Sequence, residues 1–87
     1  MNTSHRKKAE ILKALGHPIR FCIVEGLIAG EQNVATMVNC TGVPQPTVSQ
    51  HLNILKAAGI IEGVRDGTQI HYSVVNKDAQ QIVKALK

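Results

Sequence analysis

Everything else in the chain is placed by residues 43–59, Val43-Pro44-Gln45-Pro46-Thr47-Val48-Ser49-Gln50-His51-Leu52-Asn53-Ile54-Leu55-Lys56-Ala57-Ala58-Gly59. The Val43-Pro44-Gln45-Pro46 segment turns the chain and starts a helix. Val48, Leu52 and Leu55 then recur at i, i+4 and i+7, which makes one buried stripe. The opposite side presents Gln45, Ser49, Gln50 and Asn53, with Thr47 and His51 on its flanks. A solvated helix face normally carries Glu and Lys, and here none appears before Lys56. Short amide and hydroxyl side chains let a helix lie deep in the major groove. Gln and Asn donate and accept at an adenine edge, and Ser or Thr reaches bases or phosphates. The six polar positions are therefore candidate DNA-reading residues.

The segment before this helix supplies its partner. A short helix fits Val34 to Cys40, with Val34, Met37 and Val38 facing inward and Gly42 closing it. Two short helices joined by a tight glycine-containing turn form a helix-turn-helix, here Asn33–Cys40 with Pro44–Ala58. Further upstream, Thr3 or Ser4 caps a first helix that runs to Leu15, with Ile11, Leu12 and Leu15 on its apolar side and Gly16 as its stop. Pro18 suits the first turn of a second helix, where its missing N–H has no partner to lose. That helix ends at Gly30 and is apolar around most of its circumference, so it is expected at the centre.

After Gly59 the period changes from helical to alternating. Ile60–Arg65 and Gln69–Val75 read as two strands around Asp66-Gly67, a hairpin signal. Ile70, Tyr72 and Val74 share one strand face, and His71, Ser73 and Val75 the other. Beside a helix-turn-helix, such a ribbon over residues 60–75 is a wing. Arg65 and Gln69 sit at its tip, placed to meet phosphates or the adjacent minor groove. A last helix over 76–87 carries Ala79, Ile82, Val83 and Leu86 on one side. The expected class is mainly α with a small β-hairpin, a single winged helix-turn-helix domain over 1–87 in the order ααααββα.

Composition agrees with a small DNA-binding domain. A chain of 87 residues buries only ~60–65% of its unfolded surface, so its core is thin. Its two aromatic residues are Phe21 and Tyr72, which leaves an aliphatic core. Ten Lys and Arg against six Asp and Glu give a net charge of +4, a balance that favours a polyanionic partner. No apolar run approaches the ~20 residues of a membrane span, and no membrane partner is expected. The charged N-terminus lacks the apolar stretch of a secretory signal. Two cysteines without such a signal point to a reducing cytoplasm. Residue spacing gives no Ser–His–acid or Cys–His set and no Gly-rich phosphate loop, so neither an enzyme nor a cofactor is expected. The alternative function is a winged-helix module that docks a protein through the same helix face, but such a face would carry more apolar or acidic residues.

The ordered set of motifs resembles the ArsR/SmtB family of bacterial winged-helix repressors. The matching stretches are Gly16-His17-Pro18-Ile19-Arg20-Phe21, residues 42–52, Leu55-Lys56-Ala57-Ala58-Gly59-Ile60-Ile61, and the wing from Val64 to Val74. The resemblance runs from about Ala9 to Leu86. It implies a homodimer whose first and last helices pair across a two-fold axis. It also implies a palindromic double-stranded DNA operator that is released on effector binding or thiol oxidation.

The ligand sets of the metal-sensing relatives are not reproduced. Where the arsenic and cadmium sensors carry a Cys-x-Cys pair, this chain has Asn33 and Ala35. Where the zinc and nickel sensors place Asp and His in the last helix, Asn76 and Asp78 are followed by no His. The four histidines have no i, i+4 pair, His17 stands where a helix cap belongs, and no metal site is expected. Cys22 and Cys40 remain as candidate redox-sensing residues, with two structural thiols as the alternative. Cys22 lies near a helix N-terminus with Arg20 close by, a setting that favours the thiolate. Relatives that sense oxidants or reactive sulfur join a cysteine of the second helix to one in the last, where this chain has none.

Overall fold

The computed structural model describes residues 3–30 and 33–86. Five helices and one hairpin follow in the expected order: α1 Thr3–Leu15, α2 Pro18–Ala29, α3 Val34–Thr41, α4 Gln45–Ala57, β1 Ile61–Asp66, β2 Gln69–Val74 and α5 Lys77–Ala85. Local chemistry sets most of the boundaries. The His17 Nδ1 accepts the Ile19 N–H ahead of Pro18, so this histidine is the α2 cap. Asn33 and Asn76 cap α3 and α5 by accepting the N–H groups of Thr36 and Ala79. Gly42 ends α3 at φ 73°, a left-handed conformation that glycine adopts without Cβ strain, and its N–H returns to the Val38 carbonyl. That turn sets the direction from which α4 leaves. Lys87 of the last helix and Met1 and Asn2 of the expected domain lie outside the described residues.

The core is aliphatic and central to α2. Ile23, Val24 and Leu27 of α2 pack with Ile11, Ala14 and Leu15 of α1 and Ala79 and Val83 of α5. Met37 holds α3 to this centre, with Val34 and Val38 half-buried around it. The α4 stripe is the one expected, Val48, Leu52 and Leu55 being 0%, 1% and 0% exposed. Ile60 is fully buried and joins three elements. Its N–H donates to the Leu55 carbonyl at the end of α4, and its own carbonyl accepts from Val75 and Asn76. Leu12 and Leu86, on the expected apolar sides of their helices, are 57% and 68% exposed, because none of the described residues lies beyond the α1–α5 pair to cover them.

The wing differs from expectation in its turn. Asp66 pairs with Gln69 as the last rung of the antiparallel ladder, so the loop is Gly67-Thr68 rather than Asp66-Gly67. Of the two loop residues Gly67 alone has positive φ, at 64°, which is the sign pattern of a hairpin turn with glycine first. Asp66 is free of the turn, and its carboxylate lies 3.5 Å from His71 Nε2. Of the inward face, Tyr72 is buried and Val74 half-buried, while Ile70 near the tip is exposed.

Candidate nucleic-acid interface

The exposed side of α4 is built by what its other side does. With Val48, Leu52 and Leu55 locked in the core, the helix cannot rotate. Gln45, Gln50 and Asn53 are consequently held in solvent, and Thr47, Ser49 and His51 are half-buried on the two flanks. From Gln45 to Asn53 no carboxylate, ammonium or guanidinium interrupts this surface. The first charged group, Lys56, sits in the last turn with Nζ 5.9 Å from the centre of the Tyr72 ring.

The wing extends the surface on one flank. Arg65 and Gln69 are both exposed, on adjacent rungs of the ladder. Gln45 and Gln69 line one concavity of about 380 Å³ together with Thr68 and the start of α3. The α4 N-terminus and the wing tip therefore share one face, although 24 positions separate these two residues in the chain. His71, on the ribbon face opposite Tyr72, is half-exposed, and its Nδ1 is buried without a partner among the described residues.

His51 behaves differently from its neighbours. Its ring packs at 4.6 Å, centre to centre, against that of His17, and its Nδ1 lies 3.2 Å from Arg20 Nη1. Arg20 also donates through Nε to the Ala14 carbonyl at 2.6 Å. Burial away from water, then the charges of His17 and Arg20, hold the His51 pKa below its ordinary value. Sequence reasoning placed His51 on a flank but missed Arg20, whose proximity to Cys22 in the chain suggested a different role. The guanidinium turns toward Ala14 and α4 instead.

The other pair of candidates is also brought together. Cys22 lies in the second turn of α2 and Cys40 near the end of α3. The Cys22 Sγ is 3.9 Å from the Cys40 carbonyl oxygen, and both residues are thiols. No group of three or more His, Cys, Asp or Glu side chains suited to a metal occurs among the described residues. No helix among them is long and apolar enough to cross a membrane.

Known proteins share this architecture. The family described as "Helix-turn-helix domain" matches residues 15–64. The biofilm growth-associated repressor of Xylella fastidiosa is 41% identical over 78 residues, covering 90% of this chain and 68% of that protein. The crystal structure of the transcriptional repressor PagR of Bacillus anthracis superposes with a TM-score of 0.86 at 35% identity, over 97% of each chain. A homodimeric winged helix-turn-helix DNA-binding domain from Mycobacterium bovis, a possible ArsR-family regulator, gives 0.83 at 30% identity. That match covers 93% of this chain and 75% of the other.

Proposed function

We propose, for a chain that belongs to the ArsR/SmtB family of winged helix-turn-helix transcriptional repressors, that two copies bind one palindromic operator in double-stranded DNA. In this reading α4 enters the major groove, where Gln45, Thr47, Ser49, Gln50 and Asn53 meet base edges and nearby phosphates, with His51 on the flank. Arg65 and Gln69 meet the backbone or the adjacent minor groove. The observation that carries the proposal is the uncharged, exposed Gln45–Asn53 face on a helix whose opposite face is sealed in the core. A protein-docking face would need apolar area to bury or charge to pair.

The dimer is supported by the apolar surface that one chain leaves uncovered. Leu12, Ile82 and Ile11 line a groove of about 300 Å³ between α1 and α5, rimmed by Lys8, Asp78 and Gln81. Exposed Leu86 lies just beyond α5. A two-fold axis beside these helices covers the groove with its own copy. Two chains also double the charge from +4 each, which suits two half-sites.

A duplex selected from a randomised pool, titrated by fluorescence anisotropy, tests the reading. Affinity is expected to fall linearly on a logarithmic plot as salt rises, by about 0.9 in slope per phosphate contacted. Gln50→Ala should lose about 1–3 kcal/mol of discrimination at one base position. Arg65→Ala should weaken all duplexes about equally and flatten the salt slope by about one unit. A failure to select any duplex, or binding indifferent to salt, overturns the assignment in favour of a protein partner.

We further propose that thiol modification at Cys22 and Cys40 releases the operator, supported by the 3.9 Å approach of Cys22 Sγ to the Cys40 backbone. A hydroperoxide takes two electrons and two protons from the two thiols. It leaves as alcohol and water while one S–S bond forms between α2 and α3. Operator affinity is expected to drop on treatment with hydrogen peroxide or diamide, to return with dithiothreitol, and to stay constant in Cys22→Ser. Unchanged affinity of the oxidised wild type overturns this proposal without touching DNA recognition.

A further inference from the structure

Three basic side chains, His17, Arg20 and His51, meet where the N-terminus of α2 touches the flank of α4. A guanidinium only donates, so at 3.2 Å from Arg20 Nη1 the His51 Nδ1 must offer a lone pair. The ring proton of neutral His51 is then on Nε2. His17 is fixed in the same way, since its Nδ1 accepts the Ile19 N–H. Arg20 is anchored from behind by the Ala14 carbonyl. One side chain thus ties α4 both to α2 and to the end of α1, across 31 residues of sequence.

We propose that Arg20 is a positioning residue of the DNA-reading surface: its bond to His51 Nδ1 holds α4 in register, and a proton taken up at that nitrogen breaks the hold and weakens operator binding. This rests on the reading of α4 as the DNA-contacting helix. Protonated His51 has no lone pair for Arg20 and places a cation beside a guanidinium and a second imidazole. Among the described residues no carboxylate pairs with His51. His17 and Arg20 are the charged or titratable groups that act on His51 from α2 and its cap, and burial adds to their effect. From α1, Glu10 and Lys13, one of each sign, flank Arg20 in a depression that also contains Ala57 of α4. The α3 helix contributes no charged side chain, and on β1 Glu62, Arg65 and Asp66 are exposed on the wing.

The sign of the effect separates this proposal from the ordinary one. Added positive charge on a DNA-binding surface strengthens attraction to phosphate, so a histidine acting by charge alone would tighten binding in acid. The latch predicts the reverse.

The experiment is anisotropy of the selected duplex at fixed ionic strength, from about pH 8 to about pH 4.5, a range carried below that of an ordinary histidine because the His51 pKa is lowered. Wild-type affinity is expected to fall toward low pH, approaching tenfold per unit below the folded His51 pKa, where one proton opposes binding. His51→Asn places an amide oxygen near the Nδ1 position and does not titrate there. Measured against its own affinity near pH 8, this variant should lose the acid decline. Arg20→Lys has no planar fork to serve Ala14 and His51 together, and should bind about tenfold more weakly near pH 8 with a shallower decline. Wild-type affinity that is level or rises in acid, or an acid decline kept by His51→Asn, overturns the proposal. A second readout needs no DNA. Imidazole ¹⁵N NMR should show His51 protonated on Nε2, and Arg20→Met should raise its pKa toward the ordinary value. An Nδ1-protonated ring, or a pKa indifferent to Arg20→Met, overturns the latch even if no duplex is ever selected.

Discussion

Leu52→Ala is expected to remove about 2–5 kcal/mol of folding stability, the range for a leucine truncated inside a packed core. Leu52 is 1% exposed and stands between Val48 and Leu55, both fully buried. A domain of this size has roughly 5–15 kcal/mol in total, so the substitution takes a large share. Each kcal/mol lowers the melting temperature by ~4–8 °C in such a domain. Gln50→Ala, two positions away on the exposed side of the same helix, should change stability by no more than about 0.5 kcal/mol. Thermal melts at one protein concentration compare the two, since a dimer's melting point depends on concentration. Equal melting temperatures for both variants would mean that the Val48–Leu55 stripe does not anchor α4. The contrast matters for function because a helix that is free to rotate cannot present Gln45, Gln50 and Asn53 in a fixed order.

In the proposed dimer, Leu12→Glu is expected to leave a monomer and to lower affinity for the proposed operator by about 10²–10⁴, the factor by which linking two sites typically exceeds either alone. Leu12 is 57% exposed, so the change leaves the chain's own core intact. On a two-fold interface the same change occurs twice and brings two carboxylates into an apolar groove, where unpaired charge is costly. Light scattering after gel filtration reads the mass, anisotropy reads the affinity, and circular dichroism checks that the helices persist. A variant that stays dimeric would move the interface away from α1 and α5. A monomer that still binds at full affinity would show that one half-site suffices.

Much of the architecture was legible in the chain because its signals are local. Pro18, Gly30, Gly42 and the asparagines at 33 and 76 mark helix ends within a residue or two, since capping is a matter of one backbone turn. The Val48–Leu52–Leu55 stripe follows from helical period alone. The polar members of the reading face came from the same argument, as the positions that period leaves outside. What escaped depends on distances that no period encodes. Nothing in the spacing brings Arg20 to His51, 31 residues on, or Cys22 to the backbone of Cys40, 18 residues on. The hairpin was legible but its turn slid by one residue, because Asp66, a good turn former, is held on the ladder opposite Gln69 with its carboxylate beside His71. The apolar sides that carry Leu12 and Leu86 are equally legible, but an apolar pattern does not distinguish a core from an interface between copies.

Ile60 has a consequence for how an operator is measured out. One buried residue bonds the end of the reading helix, the second root of the wing and the cap of the last helix. The reading helix therefore keeps a nearly constant offset from α5, and in the proposed dimer from the two-fold axis. Such a head behaves as one leg of a stiff pair of compasses. An extra base pair between half-sites turns the second by about 34–36°, since the duplex repeats every ~10–10.5 base pairs. Little slack is available between helix and wing to take up that rotation. In the proposed complex, the span between half-sites is then as much a part of the recognised signal as the bases read within each.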